Sequence, residues 1–117
     1  MRFGPFVRTQ RIERGITLRD FARRLSVSPT YVSQVERENF SPPAEPCVRR
    51  IARILEVDED ELLALAGRVA DDLPEIIRSQ PRVMAAFLRT AHGLSSQDLQ
   101  QLVVQAQSLK NRHRDPS

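Results

Sequence analysis

The side chains with chemistry to offer gather between Ser28 and Arg37, in the run Ser-Pro-Thr-Tyr-Val-Ser-Gln-Val-Glu-Arg. Thr30, Tyr31, Ser33, Gln34 and Arg37 place hydroxyl, amide and guanidinium groups along about two turns of one helix. Such a set suits hydrogen bonding to base edges and phosphates. Thr30 and Gln34 stand one turn apart, so both can face the same groove. A glutamine amide can pair with adenine through two bonds, and a threonine can donate, accept or touch a thymine methyl. These two lead as base contacts, with Tyr31 and Ser33 next; Tyr31 reads equally as a packing residue. Ser28, Arg8, Arg19 and Arg37 are the phosphate candidates, with backbone N–H groups at helix N-termini. Any single one of these arginines reads equally as a solvated surface charge.

Two helices must hold these groups in place. Ser28 can cap the second and Pro29 suits its first turn, while Val32 and Val35 form a buried i, i+3 pair. The preceding helix starts at Thr17 and buries Phe21, Ala22 and Leu25. A turn of about three residues joins the two, the spacing of a helix-turn-helix.

The rest of the chain is also helical in pattern; no segment sustains the period-two alternation of a strand. A first helix runs from about Phe3 to Arg14 and stops at Gly15. A loop from Glu38 to Glu45, with Pro42 and Pro43, precedes a helix that buries Val48, Ile51, Ala52 and Leu55. Asp58 caps a fifth helix carrying Leu62, Leu63 and Leu65, which Gly67 ends. Beyond it come short helices with Ile76 and Ile77, and with Val83, Met84, Phe87, Leu88 and Ala91 up to Gly93. Ser95 and Asp98 form a capping-box pattern at the last helix, whose apolar stripe is Leu99, Leu102, Val103, Ala106 and Leu109. The stripe covers only about two heptads. With Phe87, Leu88 and Met84 it offers a seam for a homodimer; packing on the chain's own fifth helix is the other reading. Three regions are expected: a DNA-binding domain over 1–67, a helical extension over 68–110 for dimerisation or regulation, and a polar tail over 111–117, with fraying from Lys110.

Charge follows this division. Residues 1–57 hold eleven arginines against six acids, a net +5, and residues 58–117 a net −2, within a total of +3. The basic half is the half with the two-helix pattern, as phosphate binding requires. No apolar run approaches the ~20 residues of a membrane span. Arg2, Gly4, Pro5 and Arg8 break up the first apolar residues, against a secretory signal. Cys47 is the only cysteine and is expected as a buried core thiol, consistent with a cytoplasmic location. His92 and His113 lack metal-ligand spacing, and no phosphate loop or GxGxxG is present. The acids from Asp58 to Glu61 read as a helix start. No enzyme, metal or cofactor is expected, and the Gln- and Ser-rich polar face of the last helix argues against a membrane partner.

Val7-Arg8 with Arg11 and Gly15, Thr17-Leu18-Arg19-Asp20-Phe21-Ala22, Val27 to Glu36, and Ile51-Ala52 through Val57 to Leu62-Leu63 together resemble the lambda-repressor-like, or XRE-family, DNA-binding domain. The resemblance implies an all-α fold: a five-helix bundle followed by a helical C-terminal extension. It implies a dimeric repressor or regulator on double-stranded DNA, with the helix at 29–37 in the major groove of an inverted repeat. It also implies a structural ion pair between Arg11 and Glu36. A metallopeptidase that cuts the extension, or a toxin, are the partner proteins it suggests. The alternative class is a protein-interaction adaptor or antitoxin-type module whose extension binds a partner. The chain departs from the family pattern at Leu18, where glutamine often contacts phosphate. It departs again at Ser26, Glu38 and Glu56, where glycine often ends a helix. Asn39 is expected to take the left-handed position after the third helix.

Overall fold

The computed structural model describes residues 2–114, which form eight helices with no strand among them. They are α1 (Phe3–Glu13), α2 (Leu18–Leu25), α3 (Pro29–Glu36), α4 (Glu45–Leu55), α5 (Glu59–Leu65), α6 (Asp72–Ser79), α7 (Pro81–Ala91) and α8 (Ser96–Arg114). They divide into two compact units, the first ending at Pro74 and the second beginning at Glu75.

Helix starts follow side-chain chemistry. Thr17 accepts a hydrogen bond from the Asp20 N–H at 3.1 Å, Ser28 from the Tyr31 N–H at 3.1 Å and Asp58 from the Glu61 N–H at 2.9 Å. Each cap satisfies a backbone donor that the helix itself leaves open.

Gly15, Gly67 and Gly93 follow α1, α5 and α7 in left-handed backbone, but the ends of α2, α3 and α4 use residues other than glycine. Ser26, Glu38 and Glu56 adopt left-handed backbone with φ of 60°, 61° and 57°. Each such residue costs ~1–2 kcal/mol against a right-handed one. The return is a repeated cap. In each case the next residue's N–H reaches back to a carbonyl of the last turn: Val27 to Ala22 at 3.0 Å, Asn39 to Gln34 at 2.9 Å, Val57 to Ala52 at 3.0 Å. Val27 and Val57 also pack against the core. This geometry corrects the expectation for Asn39. Its N–H makes the long return bond, so the left-handed residue must be the one before it, Glu38.

The core of the first unit gathers Phe3, Val7, Phe21, Ala22, Leu25, Val32, Val35, Val48, Ile51, Ala52, Leu55, Leu62 and Leu63 from all five of its helices. Burying each large side chain contributes ~1.5–3 kcal/mol. Cys47 is only half-buried at the rim of this core, a correction to the fully buried thiol expected. Glycine is required at Gly4, on the first turn of α1. A Cβ there would come within 2.5 Å of the Val35 carbonyl oxygen and 2.7 Å of that of Glu36. The start of α1 thus lies directly on the end of α3.

The segment after α5 belongs to the first unit because side chains tie it down. Arg68 donates from Nε to the Pro43 carbonyl at 2.9 Å and from Nη2 to that of Pro42 at 3.0 Å. Asp71 faces Arg49 at 3.3 Å, and its N–H donates to Glu45 Oε1 at 3.3 Å.

In the second unit the Ser95 hydroxyl accepts from the Asp98 N–H at 3.1 Å at the start of α8. That helix continues to Arg114, past the expected fraying at Lys110; the rest of the tail, 115–117, lies outside the described residues. Phe87, Leu88, Leu99, Val103, Ala106 and Leu109 are exposed and Leu102 is partly buried. No helix among the described residues is long and apolar enough to cross a membrane.

Candidate nucleic-acid interface

The second helix of the two-helix motif presents its polar edge outward. Thr30 and Arg37 are exposed, and Ser33 and Gln34 are partly exposed, while Val32 and Val35 point into the core. Thr30 and Gln34 share one edge at i, i+4 spacing, so a single groove can meet both. Tyr31 turns toward packing. Its ring lies 6.0 Å from that of Phe40 and is partly buried against the core, and burial raises the phenol above its ordinary range.

Ser28 uses its hydroxyl oxygen to cap α3, which leaves the O–H free to donate outward. Arg8, Arg19 and Arg37 are exposed. They have no carboxylate partner among the described residues, whereas most arginines around them are neutralised. Asp20, for example, pairs with both Arg23 and Arg24. The hydrogen bond from Arg23 is the main reason its carboxyl is held below the usual carboxylate range. Arg8, Arg19 and Arg37 thus keep positive charge without a carboxylate partner, as do Arg14, Arg50 and Arg68, which donate to neutral carbonyl or amide oxygens.

A buried pair anchors the motif. Arg11 donates from Nε to Glu36 Oε2 at 2.8 Å and from Nη2 to Glu36 Oε1 at 3.0 Å. Its Nη1 donates to the Ile16 carbonyl at 2.9 Å, so one guanidinium ties α1, the loop before α2, and α3 together. The two-bond fork fixes orientation as well as distance. A second, exposed pair, Arg2 with Glu38 at 3.0 Å, joins the same two helices near Gly4.

The loop after α3 carries a contact that residue types did not reveal. Asn39 Nδ2 donates to Gln34 Oε1 at 2.6 Å, and the Asn39 N–H donates to the Gln34 carbonyl. The only available signal was an amide five residues after the glutamine, which no helical spacing rule singles out. Among the described residues no group of three His, Cys, Asp or Glu is placed to hold a metal ion.

This geometry, a capped polar helix set against a second helix in a five-helix unit, defines a helix-turn-helix protein. The chain belongs to the helix-turn-helix domain family, whose model matches residues 2–65. Two uncharacterised HTH-type transcriptional regulators of Mycobacterium tuberculosis are each 39% identical to it over 64 residues. The match takes in 55% of this chain and 45% of each relative, so the chain matches a little under half the length of those proteins. A solved complex of the SinR and SinI proteins is similar in fold, with a TM-score of 0.50 at 18% identity, over 93% of this chain and 98% of that one.

Proposed function

We propose that this chain is a sequence-specific, DNA-binding transcriptional regulator, acting as a dimeric repressor with α3 in the major groove of an inverted repeat. The observation that carries the reading is the outward polar edge of α3. It is capped by Ser28 and braced from behind by the Arg11–Glu36 pair, within a matched helix-turn-helix domain. Thr30 and Gln34 read base edges, with Ser33 beside them; Tyr31 supports the helix through Phe40. Arg8, Arg19, Arg37 and the Ser28 hydroxyl hold phosphates and set register.

The exposed apolar side chains of α7 and α8 support dimerisation through the second unit, Phe87, Leu88, Leu99, Val103 and Leu109 among them. One copy reaches one half-site, and two copies reach half-sites about 34 Å apart along the duplex. The same exposed side chains support the second reading, an adaptor or antitoxin-type module that seats another protein there. The cell compartment of such a regulator is the cytoplasm.

A gel shift of the full chain on the DNA upstream of its own gene, at two salt concentrations, separates the readings. The regulator binds that DNA in preference to random duplex, with affinity falling steeply as salt rises. Equal, weak binding to both duplexes would leave the adaptor reading.

A further inference from the structure

We propose that Asn39 decides which edge of the Gln34 amide is offered to DNA, and is therefore a specificity-determining positioning residue outside the recognition helix. The inference rests on Gln34 as a base reader and adds how its chemistry is set.

A glutamine side chain has a donor end and an acceptor end, and free rotation about its last torsion exchanges them. Left alone, Gln34 would present either end and discriminate poorly. Asn39 engages one of those ends. In the structure it turns its Nδ2 group, a donor only, toward Gln34, and the Gln34 end that faces it is the carbonyl, at 2.6 Å. The Gln34 NH2 group is then the leading free end, and it donates to no protein acceptor among the described residues.

The backbone that carries the Asn39 side chain is itself fixed. The Asn39 N–H is bonded to the Gln34 carbonyl at 2.9 Å, and Glu38 before it is held in left-handed backbone and paired with Arg2. Phe40 after it lies against Tyr31, and further along the loop the Pro42 and Pro43 carbonyls are held by Arg68. A loop braced on both sides of Asn39 keeps its side chain beside Gln34, as supporting residues do around other recognition groups. A leading N–H end matches bases that display a keto oxygen in the major groove, guanine O6 or thymine O4.

The test is selection of randomised duplexes by the full-length protein, comparing wild type with Asn39→Asp, Asn39→Ala and Gln34→Ala. An aspartate at 39 can only accept. Gln34 must then turn its NH2 group inward and lead with its carbonyl, which matches the amino groups of adenine N6 or cytosine N4. At one base position the wild type prefers keto bases, Asn39→Asp shifts the keto-to-amino ratio by roughly tenfold or more toward amino bases, and Asn39→Ala flattens it. The ratio is the readout because the added negative charge lowers affinity for every duplex alike.

A merely structural role for Asn39 would weaken the preference without reversing it, and that result overturns the proposal. So does an unchanged ratio in both Asn39 variants; if Gln34→Ala flattens the same position, Gln34 remains a base reader. No change on Gln34→Ala overturns both the proposal and the reading beneath it. Should Asn39→Asp lose its helical circular dichroism, Asn39→Ala decides: a flattened ratio with an unchanged thermal midpoint supports the proposal, and an unchanged ratio, or a flattened one with a lowered midpoint, overturns it.

Discussion

Glu36→Ala tests whether the recognition helix is held by a buried charge pair. Side-chain exposure is 4% for Glu36 and 11% for Arg11, so truncating the glutamate leaves a guanidinium buried without its counter-charge. Breaking a buried pair from one side costs ~3–5 kcal/mol. A folded unit of this size is stable by about 4–11 kcal/mol, taking ~0.05–0.15 kcal/mol per residue. The variant therefore loses a large share of its stability, and its midpoint falls by at least ~12 °C at ~4–8 °C per kcal/mol. The exposed pair between the same helices provides the internal control: Arg2 is 80% exposed, and Arg2→Ala costs less than ~1 kcal/mol. Urea denaturation followed by circular dichroism measures both. The double variant Arg11→Met, Glu36→Leu should recover most of the loss, because an apolar pair of similar volume needs no desolvation of charge. A Glu36→Ala cost no larger than that of Arg2→Ala would refute the reasoning.

Gly4→Ala should destabilise the first unit by ~1–3 kcal/mol, since the new methyl would press on backbone carbonyls that cannot swing aside; denaturant midpoints check it. Arg37→Ala should weaken binding to all duplexes alike and reduce the slope of log affinity against log salt by about 1; an unaltered slope removes Arg37 from the phosphate contacts. Burial pushes the Cys47 thiol above its ordinary value of 9.0, so the folded state holds that proton more tightly than the unfolded one. Its contribution to stability is complete below the ordinary value and is lost as pH rises through the raised one, so Cys47→Ala should lose less stability between pH 8 and pH 11 than wild type. In solution the full chain should weigh as a dimer and a chain ending at Pro74 as a monomer; two monomers at high micromolar concentration would remove the proposed seam.

Much of this was readable from local rules. Thr17, Ser28 and Asp58 are short oxygen-bearing side chains directly before amphipathic runs, and a cap bond spans only three residues. The buried positions of α2, α3 and α4 follow from helical period alone. The Arg11–Glu36 pair spans 25 positions, and only the family resemblance pointed to it. Tyr31 has two open readings because period places it beside the core without saying which ring comes near; only the loop that returns Phe40 shows which ring it meets.

Sequence by itself determined the helices, their order, the two-helix motif and the polar types along its outward edge, because each depends on residues within a few positions of one another. Tertiary structure alone decided the rest. Folding chose Glu38 over Asn39 for the left-handed turn, since the return bond from Asn39 fixes which residue must precede it. It fastened the loop through Arg68 to carbonyls about 25 positions away, and brought Gly4 onto the end of α3. Backbone carbonyls are the same at every residue, so no pattern of side chains could mark which of them Arg68 or Gly4 would meet.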